Sequence, residues 1–466
     1  MTTWQEFTEG ASMHGLKSVG DKKLNPLRRS IWLLLILAFL AYFCWSFGLF
    51  LIDFSDRLLT TTIKLEKAHQ LKFPTVTLCN RNMWTKSAVL YSGFAALPQF
   101  MTDLHSEDPY KASLSYNYSQ PGYAALAHKS PAEAEEFLQM AAVPMSYSFL
   151  HCYILEREVN CSDIFKVVPT DGGYCFQFNS DGTFNATVAG RAGGVSFFMD
   201  ALVDEYFNGP TSMAEGFTMT FHEAHQVPLV RELGIGASPG TQTSVVLTKS
   251  ELSRMPPRRI DKSNSSCYDT LKLPNPLHFY ANYSYSACMV ECKAAYVFKK
   301  CQCRHPFQPA LNGSSLCRLP IMLNCSAPAL QTFTTDPEGI RQCNCPDPCI
   351  DSEYTAQLSS YSFPSSNYIR QLNLSNSTLN HLKKNAVYLD IFYGKMSYRR
   401  IEERLAYTFH DMISSLGGTL GLCVGGSLLT VAEFVEFGIL SLHKRLLTAK
   451  KSGSQITVAP AKQPLS

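Results

Sequence analysis

The chain has 466 residues, with 41 Lys and Arg against 38 Asp and Glu, a formal net charge of +3. That balance excludes the strongly basic face a nucleic-acid partner requires, and neither end carries an acidic or basic tail long enough to act as an interaction arm. What organises the sequence is a pair of apolar segments near its two ends.

In chain order, residues 1–30 form a polar tail that contains an isolated His14-Gly15 pair, which means little on its residues alone. From Ile31 to Ile52 run 22 residues without a charge, bounded by Arg28 and Arg29 before and Asp53 after. At about 1.5 Å per residue such a helix crosses a ~30 Å hydrocarbon core. It is too long for a secretory signal, and no small-residue cleavage site follows.

Residues 53–410 read as one large, loop-rich and β-rich region without repeats. Period-two alternation marks strands in "FPTVTLCN" (73–80), "FTMTFHEAH" (217–225), "TSVVLTKSEL" (243–252) and "AVYLDIFY" (386–393). Helices are expected in 130–142, opened by Ser-Pro with acidic residues in the first turn, and in 284–301. Cys44 and Cys423 fall in the apolar segments, and the other fourteen of the 16 cysteines lie between Cys79 and Cys349. An even number confined to one region points to disulfides in an oxidising compartment, although spacing alone leaves their connectivity open. Nine N-x-Ser/Thr sequons, at Asn117, Asn160, Asn185, Asn264, Asn282, Asn312, Asn324, Asn373 and Asn376, fall in the same region. "HEAH" (222–225) spaces its histidines at i and i+3 inside a strand-like run, the wrong geometry for a zinc helix, and no metal site or cofactor is expected.

The second apolar segment, 411–442, precedes a tail of 443–466. Lys and Arg flank both segments on their outer ends, so the positive-inside rule puts both termini in the cytoplasm and the middle outside. Within it, residues 421–437 carry three glycines, a serine and two glutamates, although a carboxylate at the bilayer centre costs roughly 2 to 3 kcal/mol. Drawn as one helix, Gly418, Leu422, Gly425, Leu429, Glu433 and Glu436 follow at steps of three and four and share a face. An aqueous path along that face explains the charges. Rings of carboxylates around an axis would attract cations, and Gly425 and Gly426 can leave helical geometry to expose carbonyl oxygens. The plainer reading of glycine and serine here is helix packing.

Several stretches taken together resemble the degenerin and epithelial sodium channel superfamily, most closely its acid-sensing branch. They are His14-Gly15, "LKFPTVTLCN" (71–80), "GGVSFFMDALVDEY" (193–206), "LGIGASPGTQTSV" (233–245), "YSACMVECKAAYVFKKCQCR" (285–304), "CNCPDPC" (343–349), and "VYLDIFYGKMSYRRIEERLAY" (387–407) leading into "SLGGTLGLCVGGSLLTVAEFVEF" (415–437). The resemblance implies an α+β membrane protein with two transmembrane helices around a disulfide-rich domain of wrist, palm, finger, thumb, knuckle and β-ball. It further implies a homotrimer or heterotrimer in the plasma membrane, permeable to Na+ and sensitive to amiloride. It pairs Cys79 with Cys175, Cys152 with Cys161, Cys267 with Cys349, Cys288 with Cys345, Cys292 with Cys343, Cys301 with Cys325, and Cys303 with Cys317. It places a selectivity filter on Gly425, Gly426 and Ser427, pore-lining positions at Ser415, Gly418, Leu422, Leu429, Glu433 and Glu436, a gating motif on His14 and Gly15, and one acidic pair of an acidic pocket on Asp204 and Glu205. The proton-sensing apparatus is depleted: Ala327 and Gln331 replace thumb carboxylates, Thr61 a wrist histidine, Arg258 a tryptophan and Ser415 an outer-mouth aspartate. A peptide, another small ligand, protons or constitutive opening are the gating modes this leaves. The competing classes are an ATP-gated trimeric channel, for which no lysine cluster is found, and a membrane-anchored enzyme or receptor, for which Glu433 and Glu436 are out of place.

Overall fold

A computed structural model describes residues 7–8, 10–56, 59–91, 128–206, 214–255, 267–335, 337–372 and 375–452. The chain divides into two compact units, one of residues 61–403 and the other of the two chain ends.

The strand-like runs of the larger unit become strands because alternate residues meet a common core. Its eight-stranded sheet runs in the order Leu59–Lys67, Ser397–Leu405, Thr241–Ser253, Ala386–Tyr393, Val195–Asp200, Phe149–Ile154 and Arg157–Val159, with Ile350–Ser362 paired along Thr241–Ser253. Register sets Val245 beside Ile391, Ile391 beside Val195 and Val195 beside Ile154, so one face of the sheet is a continuous apolar surface. A second, five-stranded sheet runs Ile235–Ala237, Phe217–His222, Thr75–Asn80, Gly173–Phe178 and Phe165–Thr170. Its row Phe221–Val76–Phe178–Phe165 belongs to the same core. Phe149 meets Phe176 edge to face at 5.1 Å between ring centroids. Each fully buried side chain of this kind contributes about 1.5–3 kcal/mol.

The 130–142 and 284–301 patterns form the helices Pro131–Met140 and Tyr285–Cys301. Ser130 and Glu133 close a reciprocal capping box, and the Ser284 hydroxyl accepts from the Ala287 amide. Five disulfides tie the 267–349 region: Cys267–Cys349, Cys288–Cys345, Cys292–Cys343, Cys301–Cys325 and Cys303–Cys317. Cys79–Cys175 and Cys152–Cys161 complete seven, the same pairs the resemblance implies. Cys288 and Cys292 are one helical turn apart and so face Cys345 and Cys343 together. Little continuous apolar sequence is available there, and each such crosslink contributes roughly 2–4 kcal/mol.

The sequons at Asn160, Asn185, Asn282, Asn312, Asn324 and Asn376 are exposed. Asn117, Asn264 and Asn373, like Arg258, lie outside the described residues. His222 is buried in its strand with Nε2 2.8 Å from the Thr77 hydroxyl, while His225 sits in a turn at φ 68°.

In the unit of the chain ends, the first apolar segment is the helix Pro26–Ser55, longer than its uncharged stretch at both ends. Among the described residues it alone is long and apolar enough to cross a membrane by length and composition, with a mean hydropathy of 2.3. The second segment departs from the expected single helix of 411–442. It forms two, Phe409–Val424 and Leu428–Ser452, separated by Gly425, Gly426 and Ser427.

In the larger unit, the Tyr206 hydroxyl donates to Asn80 Oδ1 at 2.6 Å and accepts from the Gly216 amide at 3.0 Å. Burial pushes this phenol up to about 12. Tyr206→Phe deprives both partners at once, and we expect it to cost about 1–3 kcal/mol. A lowered Tm of the detergent-solubilised full chain would register this; an unchanged Tm would contradict it.

Candidate functional site: a broken helix and its N-terminal strut

The break at 425–427 is built by two local signals lying back to back. Gly425 adopts the left-handed conformation at φ 65°; its amide bonds to the Gly421 carbonyl and the Gly426 amide reaches back to the Leu420 carbonyl. The bond from the left-handed residue to the carbonyl four residues back is the αL termination, which favours glycine because a Cβ strains that backbone. The next helix starts at once with a reciprocal cap. The Thr430 amide bonds to the Ser427 hydroxyl at 3.4 Å, and the Ser427 amide bonds to the Thr430 hydroxyl at 3.0 Å. In an unbroken helix the amides of Gly426 and Ser427 would serve the carbonyls of Leu422 and Cys423. Here both amides are turned elsewhere, so those carbonyls leave the helical ladder. The C-terminal end of the helix Phe409–Val424, where partial negative charge gathers, and three adjacent small residues therefore coincide.

This break corrects the single helical face drawn through Gly418, Leu422, Gly425, Leu429, Glu433 and Glu436. The left-handed residue resets the helical phase, so positions on either side of it no longer share a wheel. Gly418 and Leu422 are exposed on Phe409–Val424, with Ser415 half-buried, and Leu429 and Glu436 are exposed on Leu428–Ser452.

The N-terminal tail packs against the break. The His14 ring occupies the space a Gly425 side chain would fill, Nδ1 lying 2.1 Å from the position of a Cβ there. Gly15, at φ 81°, begins the short helix Leu16–Gly20, and a Cβ on it would meet the Trp32 ring at 3.0 Å. The Ser12 amide and hydroxyl both donate to Glu433 Oε2, at 3.0 and 3.1 Å, and the Ser12 hydroxyl lies 2.7 Å from that of Thr430. Phe7 stacks on Phe437 at 4.3 Å and meets Phe434 edge-on at 5.1 Å. Sequence reasoning singled out His14, Gly15, Glu433 and the 425–427 triplet, which the fold brings together. It missed Ser12, Thr430 and Phe7. The Ser-x-x-Thr spacing after the glycines was a readable cap signal; nothing local marks Ser12.

Asp204 and Glu205, in the larger unit, do not face one another as a carboxylate pair. Asp204 is exposed and bonded to the Lys384 ammonium, which holds its carboxyl below the usual range. Glu205 accepts from the Ser87 amide at 2.7 Å. The turn carrying both is pinned by Asn385, whose side-chain oxygen accepts from the Val203 amide at 2.6 Å and whose main-chain oxygen accepts from Ala201.

The model of the family described as amiloride-sensitive sodium channel matches residues 7–437. The chain belongs to that family. Among curated relatives, the human acid-sensing ion channel 2 is 28% identical over 95% of this chain and 87% of its own length. The rat acid-sensing ion channel 4 is 27% identical over 92% and 78%, and the zebrafish acid-sensing ion channel 4-B is 27% identical over 98% and 79%. A solved proton-activated chloride channel covers 89% of this chain and 97% of its own at 7% identity, with a TM-score of 0.33, too low to carry an argument. Family membership reaches across both the strand-rich, disulfide-rich unit and the broken helix, so its chemistry is that of ion channels.

Two outcomes follow. Gly425→Ala forces a side chain into the His14 ring at a left-handed backbone position, and we expect loss of most ionic current with the protein still at the cell surface, read by voltage clamp with surface biotinylation; an unaltered current would contradict the packing. The depressed Asp204 carboxyl stays ionised above its folded value and protonates only as pH falls through it, below the ordinary carboxylate pKa near 4. An acid step from neutral to about pH 5 therefore leaves the pair intact, and Asp204→Asn should not change the current's pH response over that range.

Proposed function

We propose that this chain is one subunit of a trimeric, sodium-permeable and amiloride-sensitive cation channel of the plasma membrane, with both termini cytoplasmic and the disulfide-rich unit outside. The observation that carries the reading is the three-residue interruption at Gly425, Gly426 and Ser427 between two helices of one hydrophobic segment, followed within three turns by Glu433 and Glu436. Irregular backbone in a membrane segment is tolerated where it lines water or is buried in protein. Repeated about a three-fold axis, the freed carbonyls would replace part of an ion's hydration shell, and the carboxylates below them would raise the local cation concentration. Monovalent selectivity with sodium preferred is the family expectation carried onto these three positions. Na+ is the permeant ion, and no cofactor is invoked.

For gating, the Lys384-neutralised Asp204 and the replaced thumb carboxylates at Ala327 and Gln331 favour a peptide or another small extracellular ligand over strong acid activation. Homomeric or heteromeric assembly with related subunits fits the same geometry.

The test is expression in oocytes under voltage clamp, with external sodium replaced by a large organic cation and amiloride added, at neutral pH and after an acid step. The reading expects an inward current that disappears on replacement and is blocked by amiloride; a current whose reversal follows chloride would sink it. Glu436→Gln removes one carboxylate per subunit, and a several-fold fall in single-channel conductance is expected, with conductance equal to the unsubstituted channel counting against a carboxylate ring.

A further inference from the structure

A cavity of about 320 Å³ opens in the larger unit where residues 268–283 meet the start of the strand Ile350–Ser362. Gln226, Tyr268, Leu273, Asn275, Tyr283 and Asp351 are among the residues that line it, and of its described lining Asp351 is the one charged member. That carboxylate is incompletely served. Its Oδ1 accepts from the Ser352 amide at 2.9 Å and from the Gln226 side chain at 3.3 Å, while among the described residues no hydrogen bond reaches Oδ2. The cation nearby, Arg254, is paired with Asp347 at 3.0 Å. Burial raises the Asp351 carboxyl above its ordinary range, the mark of a charge short of compensation. The two tyrosines lie with ring centroids 4.5 Å apart and donate their hydroxyls to main-chain oxygens, Tyr268 to Pro274 and Tyr283 to Pro346, so what they offer the cavity is chiefly ring surface. The loop carrying Leu273 and Asn275 is fixed in advance. The buried Glu291 carboxylate accepts from the His278 and Phe279 amides at 2.7 and 3.2 Å, and the Asn275 side chain donates to the Tyr280 and Ala281 carbonyls. A wall ordered in this way loses little freedom on binding.

A carboxylate short of partners beside aromatic rings, with no lysine, arginine or histidine in the described lining, selects a cation and rejects an anion. A calcium or magnesium ion asks for a shell of oxygen ligands, and among the described residues no group of three His, Cys, Asp or Glu side chains is placed to hold a metal. A guanidinium pairs best with both oxygens of a carboxylate, of which Oδ1 is already taken; an ammonium needs one. Leu273, 48% exposed, adds an apolar flank, and the volume is at the small end for a ligand site. Resting on the channel reading above, we propose that this cavity binds a small organic ammonium with a short apolar body, its nitrogen on Asp351 Oδ2, and that this ligand is the extracellular signal the channel answers. The position suits that role. The Gln226–Asp351 bond and the bond from the Tyr354 hydroxyl to Glu223 both join the segment after Phe217–His222, in the five-stranded sheet, to Ile350–Ser362, in the eight-stranded one. Gln226 also accepts from the Glu223 amide at 3.2 Å. A ligand on Asp351 therefore acts at a seam between the two sheets.

The test titrates the purified full chain in lipid nanodiscs, by calorimetry, with phenethylammonium and butylammonium, and with hydrocinnamate and phenethyl alcohol as anionic and neutral counterparts of similar size. We expect saturable binding of the ammonium probes alone, weakened roughly tenfold or more by Asp351→Asn. Leu273→Lys, at an exposed position, sets a fixed ammonium at the cavity and should weaken binding likewise. Leucyl-phenylalaninamide carries the same ammonium on a peptide. Its binding, with the same loss in Asp351→Asn, names a peptide amino terminus as the source, and its failure beside a binding phenethylammonium names a free amine; both uphold the site. No saturable binding of any ammonium probe overturns the site, as does an affinity unmoved by Asp351→Asn or matched by the neutral alcohol. In oocytes, external phenethylammonium should change the sodium current several-fold in the unsubstituted channel and leave Asp351→Asn unaffected; binding without that change overturns the signalling role. A chain that passes no cation current in any condition overturns the channel reading instead, and the calorimetry still decides the site.

Discussion

A backbone that leaves the helix inside an apolar segment must find partners for its amides and carbonyls, because each unpaired group in such surroundings costs several kcal/mol. At residues 425–427 this constraint is met on the amide side by two motifs, a glycine-terminated helix end and a Ser427–Thr430 cap. On the carbonyl side, Leu422 and Cys423 lose their helical donors. The N-terminal tail packs on that break. His14 covers the glycine, Ser12 completes the cap, and Phe434 and Phe437 hold the tail in place through Phe7.

The larger unit solves a different problem, that of keeping a loop-rich chain in one shape. Two sheets share an aromatic core, and where apolar sequence runs thin, between residues 267 and 349, five disulfides take over. Charged side chains there are mostly spoken for. Asp204 is neutralised by Lys384, and the fully buried Asp390 accepts from Ser196 and Gln242 and pairs with Arg191. An exposed carboxylate paired with lysine is held ionised, and that arrangement does not make a proton sensor near neutral pH.

How much of this was legible in the sequence depended on the range of the interaction. Strands such as 75–80 and 386–393 were readable because alternation is local, and the 130–142 and 284–301 helices because their caps lie within three residues. The helix break was half-readable: the glycines suggested departure from helical geometry, yet a wheel drawn straight through Gly425 imposed a phase that a left-handed residue destroys. Ser-x-x-Thr beginning at 427 would have located the restart. The separation of Asp204 from Glu205 was not readable, since Lys384 and Ser87 are supplied by distant segments. Nor was Ser12, whose whole role comes from residues more than 400 positions away. The disulfide pairs were beyond reach of spacing and followed from family resemblance alone.

The most direct test of the central claim is a reconstruction of the assembled full chain in lipid. The account predicts three copies with residues 425–427 non-helical, their released carbonyls turned to a solvent-filled axis and the Ser12 segment seated beneath them. An uninterrupted helix through these residues, or a break facing lipid away from any water-filled axis, would contradict it.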